Sequence, residues 1–297
     1  MGQLGRQDII NENQRENGLK IIPFNKDYDL KAASYDITPT IIAMSSKLGM
    51  LETVYREKGN ITRYYVYVKP KDTALVISNE YISVPPNIAG YVVSRVSRIS
   101  DGFGHVSTNI DPNWEGALLI GLSNPTQKAI KVHVGGERGI TTKSDALATL
   151  SFHYLETPSN NPLDENIRGM RMDLLENIKY TEHKGLKASI SRIIHFKRCK
   201  YTDAFFDYIA RNNLDKNNWE EIVQTLRGIS QDDTLTQFVV KETILWRCIH
   251  WIENHINIVM IIIIIMLFIL LKSGIIPENI SKEILDGFDL YNRIKVN

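Results

Sequence analysis

Few residues of this chain have the type and the spacing that binding or catalysis requires. The two cysteines, Cys199 and Cys248, lie far apart and have no further cysteine or histidine at ligand spacing, which argues against a zinc site and a disulfide framework. Asp111 precedes Pro112, a place where aspartate commonly closes a turn. The stretch 184–200 carries six cations and no acid, and it suits either a solvated helix face or contact with anionic lipid.

The charge balance excludes one class of partner. The 297 residues include 35 Lys and Arg and 34 Asp and Glu, for a formal net charge of +1. Proteins that bind nucleic acids usually carry a basic excess that neutralises phosphates, so we expect no nucleic-acid partner. The polar N-terminus has no apolar stretch, and we expect no signal peptide.

Short runs of β-branched or alternating residues dominate the first half of the chain. They are bounded by turn signals such as Pro85-Pro86 and Asn124-Pro125. The runs lie at 64–70, 73–78, 89–96, 116–123, 128–134 and 146–155. Many short strands at this spacing are typical of a β-barrel or sandwich, so we predict a mainly β domain over residues 1–157. We assign Asn124 a turn role.

The second half of the chain has helical rather than strand-like sequence patterns. Residues 157–162 (TPSNNP) have the composition of a linker. Helical patterns follow at roughly 163–180, 186–212 and 217–228, and again from 231 into an apolar segment. We therefore predict a helical linker region over 158–255.

The apolar segment predicts a membrane span. Residues 258–271 read IVMIIIIIMLFILL, without a polar side chain, and a helix over 256–276 would be roughly 30 Å long, the thickness of a bilayer core. Trp246, Trp251 and Lys272 flank it at the positions of interfacial anchors. The alternative is a buried core helix, which normally keeps one polar face. We predict a transmembrane helix at 256–276, a lipid-bilayer partner and a short tail at 277–297.

Seven different short motifs follow one another over residues 4–156. They are 4–9 (LGRQDI), 19–24 (LKIIPF), 33–37 (ASYDI), 84–90 (VPPNIAG), 94–97 (SRVS), 110–116 (IDPNWEG) and 150–152 (LSF). In this order they resemble the dCTP deaminase branch of the dUTPase-like superfamily. The helical and apolar remainder has no part in the resemblance.

The resemblance implies a dUTPase-like distorted β-barrel that assembles as a homotrimer, with nucleotide sites at the subunit interfaces. It also implies a pyrimidine nucleotide ligand with Mg²⁺ on its phosphates and no direct metal ligand from the protein. The residues that it assigns to nucleotide binding are Arg95, Ser97, Thr108, Asn109 and Asp111. It gives Asp111 a catalytic role, a contact to the sugar and the attacking water; the alternative for Asp111 is the turn described above.

The chain departs from the family pattern where deamination is carried out. Counting ten positions from Asp111, the family places a glutamate that moves protons, and here this position is Gly121. Glu115 lies six residues earlier, about 20 Å away along a strand, and cannot replace it. In the family motif R-S-S-x-x-R, which starts at Arg95, the first serine is replaced by Val96 and the second arginine by Ser100. Glycine cannot transfer a proton, so we expect no deaminase activity.

Three functions remain open from the sequence. The first is a deaminase-deficient nucleotide sensor or effector, tethered to the membrane by a single pass with its nucleotide-binding domain in the cytoplasm. The second is an active dCTP deaminase or dUTP diphosphatase of pyrimidine deoxynucleotide metabolism. The third is a structural trimerisation module that binds no nucleotide.

Overall fold

The protein is described by a computed structural model that divides the chain into two compact units, Met1–Glu242 and Thr243–Asn297. The structure describes residues 2–57, 63–104, 107–135, 146–160, 170–180, 195–212, 219–229, 233–241, 262, 265, 266, 269 and 270. In the second unit the five described residues are helical. Four of them expose about half of their surface: Ile262, Ile265, Met266 and Ile269.

The first unit is mainly β, which confirms the predicted class. Its strands are β1 (Lys20–Ile22), β2 (Tyr35–Ile37), β3 (Pro39–Ser45), β4 (Met50–Leu51), β5 (Tyr55–Arg56), β6 (Tyr64–Val68), β7 (Asp72–Ser83), β8 (Ile88–Ser94), β9 (Ser107–Ile110), β10 (Glu115–Asn124), β11 (Ile130–Val134), β12 (Ala148–Tyr154) and β13 (Val240–Lys241). Its helices are α1 (Arg6–Gln14), α2 (Val96–Ser100), α3 (Met172–Tyr180), α4 (Phe196–Arg211), α5 (Trp219–Ile229) and α6 (Asp233–Thr236).

Strand β7 is the central strand of the first sheet. Strand β10 pairs with it along one edge, while β1 and β3 share the other edge, and β4 extends the sheet from β3. Apolar residues of β7 such as Val76 and Ile77 are fully buried. Glu80 of β7 is also fully buried, and its two carboxylate oxygens accept hydrogen bonds from the backbone N–H and the hydroxyl of Thr38, both at 2.9 Å. This contact fixes the junction between β2 and β3.

Two further sheets complete the β domain. One has the order β11-β6-β5-β13 and the other the order β2-β12-β8-β9, in which β9 is an edge strand. Asn124 ends β10 and is buried; its amide donates to the carbonyls of Val68 and Lys128 at 2.9 and 2.8 Å, and its oxygen accepts from Thr126. The turn role predicted for Asn124 is confirmed.

Helices α1 to α6 lie in the same compact unit as the β domain. Strand β13 pairs in parallel with β5, and the N–H of Val240 donates to the carbonyl of Val54 at 2.8 Å. Helix α4 buries one face at helical spacing, which includes Tyr201, Phe205 and Tyr208. The described part of the predicted linker region is therefore joined to the β domain by a shared core and by a shared sheet.

A buried ion pair fastens α4 to the β domain. The Nη2 atom of Arg198 lies 2.9 Å from Oε2 of Glu52, and both side chains are less than a tenth exposed. The Nε of Arg198 donates to the carbonyl of Leu51 at 2.8 Å, and the N–H of Leu51 donates to the hydroxyl of Thr202 at 2.9 Å. Burial raises the pKa of the Glu52 carboxyl, and the Arg198 guanidinium opposes that shift.

The strands predicted from the apolar runs all exist as β6, β7, β8, β10, β11 and β12. Described helices lie within or overlap the first three predicted helical segments. The fourth prediction is wrong, because the helix that begins after residue 231 ends at Thr236 and β13 follows it. The β-branched Val239 and Val240 suit a strand, and the edge of β5 supplies the hydrogen-bond partner.

The membrane prediction at 256–276 falls almost entirely outside the described residues, as do its predicted anchors Trp246, Trp251 and Lys272. Within the described ranges, no helix has both the length and the apolar character of a membrane span. The predicted tail at 277–297 also lies outside them.

We predict that Arg198→Ala destabilises the protein by about 3–5 kcal/mol at neutral pH, because it leaves the Glu52 carboxylate buried without its cation. Without Arg198 the pKa of Glu52 in the folded state lies further above the unfolded value near 4.3. A protonated Glu52 needs no cation, so the loss should be smallest below the unfolded pKa and should grow as the pH rises through the folded pKa.

Urea unfolding of the full chain at pH 7 and at pH 4 measures this difference. Lys200→Ala is the matched control, because Lys200 lies on the same helix and is exposed; it should cost less than about 1 kcal/mol at either pH. Equal losses for the two variants would contradict the buried ion pair.

Candidate nucleotide-binding surface

The β2-β12-β8-β9 sheet positions most of the candidate residues. Asp36, Thr149, Val93 and Ser107 form one row across its four strands, and residues directly opposite each other point to the same face. Arg95 follows Val93 by two positions in extended backbone, with φ −75° and ψ 141°. The Arg95 side chain therefore emerges on the face that carries Asp36.

Arg95 is held by a buried carboxylate. Its Nη1 lies 3.4 Å from Oδ2 of Asp36, whose side chain is 6% exposed, while that of Arg95 is 20% exposed. The other oxygen of Asp36 accepts from the hydroxyl of Thr149 at 2.7 Å, and Lys31 Nζ lies 3.4 Å from Oδ2. One carboxylate thus faces two cations, and the Arg95 side chain remains partly exposed.

Helix α2 follows Arg95 directly and exposes Ser97. The neighbouring Arg98 is buried instead; its Nε donates to the carbonyl of Ala146 at 3.1 Å. The Ser100 hydroxyl donates to the carbonyl of Val96 within the helix at 2.6 Å. At this end of β8, Ser97 is therefore exposed and Arg95 partly exposed, while Arg98 stabilises the fold.

Thr108 and Asn109 lie on edge strand β9 and are both exposed, but they point to opposite faces. Asn109 pairs with Tyr91, which is 45% exposed, and Thr108 pairs with Val92, which is buried. Asn109 therefore shares the outer face with Arg95, and Thr108 does not. Sequence reasoning gave no means of separating these two neighbours, because the register of β9 on β8 decides their faces.

Asp111 is exposed and begins a tight turn. Its carbonyl accepts from the N–H of Trp114 at 3.2 Å, Pro112 follows it, and Asn113 has a φ of 65°. Proline second and a positive φ third are the pattern of a type II turn, and asparagine tolerates that conformation better than most residues. The backbone of Asp111 closes the turn, and its exposed carboxylate leaves the sequence-predicted ligand role open.

Arg95 and Asp111 lie far apart within one chain. Ile110 pairs with Gly90, so Asp111 lies one position beyond, level with Ala89. Arg95 lies six positions further along β8, or about 20 Å at 3.3 Å per residue. The structure therefore brings Arg95 close to Ser97 and Asp36 and leaves Asp111 at the other end of the β8-β9 ladder.

Gly121 lies in a different sheet, in β10 opposite Leu75. A Cβ added there would meet its nearest atoms, on Leu75 and Thr73, at 3.7 Å, which is ordinary van der Waals contact. A residue with a Cβ therefore has room at position 121. Glu115 lies at the other end of the strand, opposite Ser83, so the structure keeps it away from the position of Gly121.

Two residues at this surface escaped the sequence prediction. Asp36 and Lys31 join the cluster around Arg95, and Asp36 belongs to the ASYDI motif that contributed to the resemblance. The motif was the available signal, but the pairing of β2 with β12 is needed to see its contact with Arg95. Among the described residues, no group of three or more Asp, Glu, His or Cys side chains is placed to hold a metal ion.

Comparison with known proteins shows what the β domain is similar to. Residues 3–138 match the dCTP deaminase-like family model. The dCTP deaminase of Pyrococcus abyssi is 29% identical over 110 residues, which are 37% of this chain and 66% of the relative. The dCTP deaminase of Thermococcus sibiricus is 25% identical over 154 residues, which are 52% of this chain and 87% of the relative.

Two solved structures are similar to about half of the chain. The 2'-deoxycytidine 5'-triphosphate deaminase of Agrobacterium tumefaciens has a TM-score of 0.36 at 14% identity, over 52% of this chain and 48% of the other. A mutant dUTPase from phage phi11 of S. aureus, which coordinates a structural Mg(II) ion, has a TM-score of 0.31 at 15% identity, over 50% and 97%. The sequence match confirms the predicted resemblance in its coarser form: residues 3–138 form a dCTP deaminase-like domain.

Proposed function

We propose that this protein binds a pyrimidine deoxynucleoside triphosphate without deaminating it, at a site shared between two copies of the chain. The observation that carries this proposal is the fixed, partly exposed Arg95 beside Ser97, in a domain whose relatives are dCTP deaminases. The predicted trimer is the assembly that we propose for sharing the site.

The surroundings of Arg95 suit a phosphate. Arg95 and Lys31 both lie 3.4 Å from the Asp36 carboxylate, so two cations meet at this carboxylate. A guanidinium makes charge-assisted, often bidentate hydrogen bonds to phosphate oxygens. Because Asp36 already holds the side chain in place, binding costs less conformational entropy than it would for a free arginine.

The separation of the candidate residues supports a shared site. Arg95 and Asp111 lie about 20 Å apart along one chain, so one chain does not surround a nucleotide with both. A second copy can bring its Asp111 to the Arg95 end of the first. In this arrangement Arg95 and Ser97 hold the phosphates, and Asn109 and Asp111 of the other copy contact the base and sugar.

Magnesium fits this site as a partner of the phosphates. Mg²⁺ keeps several waters and is commonly held by one or two carboxylates together with substrate phosphates. In the proposed site the exposed Asp111 contacts the sugar instead, so the ion is held by phosphate oxygens and water. The ion would offset phosphate charge, and the protein residues would position the nucleotide.

The absence of a carboxylate at position 121 supports the loss of deamination. Hydrolytic deamination without a metal requires a group that takes a proton from water and passes it to the leaving amine, a contribution commonly worth about 10²–10⁴-fold. Gly121 cannot do this, and Glu115 lies six residues away on the same strand. The candidate binding residues Arg95, Ser97 and Asp111 are present, whereas the group that would transfer the proton is absent at position 121.

We extend the proposal to a membrane-tethered sensor with its nucleotide-binding domain in the cytoplasm. The apolar run at 258–271 follows closely after β13, which pairs with the β domain. Only residues 242–257 lie between the end of β13 and the apolar run in the sequence.

An active enzyme is the second candidate function. Asp111 favours it, because one carboxylate with Mg²⁺ can position a water against a phosphate, and this chemistry would yield a dUTP diphosphatase. A structural trimerisation module is the third, and it requires no ligand at Arg95.

We predict that Arg95→Ala weakens dCTP or dUTP binding in the presence of Mg²⁺ by about ten- to a hundredfold, since a lost charged hydrogen bond costs roughly 1.5–3 kcal/mol. Lys197→Ala is the control, because Lys197 is an exposed cation on α4; it should leave the affinity unchanged. Isothermal titration calorimetry of the full chain measures both. No binding by the unmodified protein at millimolar nucleotide would favour the structural module.

We also predict that the unmodified protein releases no ammonia from dCTP above background. Gly121→Glu should fold normally, because the added Cβ has room, and should restore at most a trace of activity, since Val96 and Ser100 also depart from the family motif. An ammonia assay with product chromatography measures both proteins. Robust formation of dUTP or dUMP from dCTP by the unmodified chain would contradict this proposal and favour the active enzyme.

A further inference from the structure

Tyr91 lies on the outer face of the β2-β12-β8-β9 sheet, away from the edges of that sheet. Strand β8 carries it, with β9 on one side and β12 on the other, and 45% of its surface is exposed. Its neighbours Gly90 and Val92 are buried, because successive side chains of a strand point to opposite faces. The Tyr91 ring therefore contributes to the outer surface rather than to the core.

His153 of β12 stacks on this ring. The centroids of the Tyr91 and His153 rings are 5.2 Å apart, and their planes differ by 17°, which is a favourable aromatic arrangement. Tyr91 pairs with Ser151 and His153 pairs with Ala89, so the two rings are diagonal neighbours on one face. The stack orders the Tyr91 side chain without burying it.

The register of β9 places this stack beside two candidate nucleotide residues. Asn109 pairs directly with Tyr91, so their Cβ atoms lie about 4.5–5.5 Å apart on the same face. Asp111 follows β9 and lies level with Ala89, the residue that pairs with His153. The stacked rings and Asn109 therefore share one face, and Asp111 lies next to them at the end of the strand.

An ordered aromatic ring beside an amide suits a nucleobase. Every base has a flat π-face that stacks on aromatic side chains, and an asparagine amide can both donate to the edge of a base and accept from it. A phosphate gains little from such a ring, because the face of an aromatic ring carries partial negative charge. The base is therefore the part of a nucleotide that fits this place.

We propose that the base of the bound nucleotide stacks on the exposed surface of the Tyr91 ring, with His153 as a positioning residue behind it. This inference rests on the proposed nucleotide site and adds a base contact to it. In the shared site, both rings come from the copy that contributes Asn109 and Asp111, while Arg95 of the other copy binds the phosphates.

Replacement of the ring tests the stack. Tyr91→Leu should weaken the binding of dCTP and dUTP in the presence of Mg²⁺ by about five- to a hundredfold, the usual loss for one base-stacking contact. Tyr91→Phe keeps the ring and should keep the affinity. Inorganic tripolyphosphate has no base, so it should bind to Tyr91→Leu as it binds to the unmodified chain. Isothermal titration calorimetry of the full chain measures all of these affinities.

Phe196→Leu is the matched control for the loss of an exposed ring. Phe196 lies at the start of α4 and is 57% exposed, and it is not part of the β2-β12-β8-β9 sheet. This variant should change the affinity for neither the nucleotides nor tripolyphosphate. Unchanged melting temperatures show that the variants are folded.

Two variants of His153 test its positioning role. His153→Ala removes the ring behind Tyr91 and should weaken nucleotide binding while tripolyphosphate binding stays the same. His153→Phe supplies a ring without the imidazole nitrogens and should restore the affinity for nucleotides. A loss that phenylalanine does not rescue would contradict the positioning role.

The outcomes separate this inference from the nucleotide site on which it rests. If the unmodified chain binds neither dCTP nor dUTP at millimolar concentration, the proposed site and the stacking contact are both wrong. If it binds them and Tyr91→Leu binds them equally tightly, the nucleotide site stands and the stacking contact is overturned. The stacking contact is also overturned if Tyr91→Leu weakens tripolyphosphate binding as much as nucleotide binding.

Discussion

The position of Arg95 depends on a carboxylate in another strand. Glu80 of β7 is fully buried and accepts two hydrogen bonds from Thr38, which fixes the chain between β2 and β3. Asp36 precedes Thr38 by two residues and pairs with Arg95 from inside the neighbouring sheet. Through Thr38, the sheet that contains β7 thereby fixes the position of Asp36, and Asp36 holds Arg95. An isolated strand-end arginine would lose side-chain entropy on binding a phosphate; here folding has already ordered it.

The same principle joins the helices to the β domain. Arg198 is one of six cations in the stretch 184–200, for which the sequence favours a solvated face or lipid contact. The structure buries it against Glu52 instead. A buried arginine requires a paired acid and further hydrogen bonds, and Leu51 supplies one of these. The described helices and the β domain therefore act as one compact unit that ends at residue 242.

How far the sequence predicts this structure depends on how local the signal is. The six apolar runs and Asn124 depend on nearby residues, and all of them are confirmed. Strands β2, β5 and β13 are two or three residues long, and their existence depends on partners distant in the chain. The face of Asn109 and the Asp36–Arg95 contact depend on the register between strands, which composition and periodicity do not specify. The motif order predicted the similarity of residues 3–138 to the dCTP deaminase-like family model, whereas the trimer, its shared sites and the membrane span stay predictions.

The most direct test of a shared nucleotide site is complementation between two defective chains. Arg95→Ala and Asp111→Asn each remove one half of the proposed site, and chains of the two kinds are unfolded, mixed and refolded together. If Arg95 of one copy and Asp111 of another hold the same nucleotide, random trimers should regain the affinity of the unmodified protein at about a quarter of their sites, as counted by calorimetric stoichiometry. Each variant refolded alone should show no such sites. If the unmodified protein binds dCTP tightly and the mixture binds no more tightly than its parents, the site lies within one chain and the account is wrong.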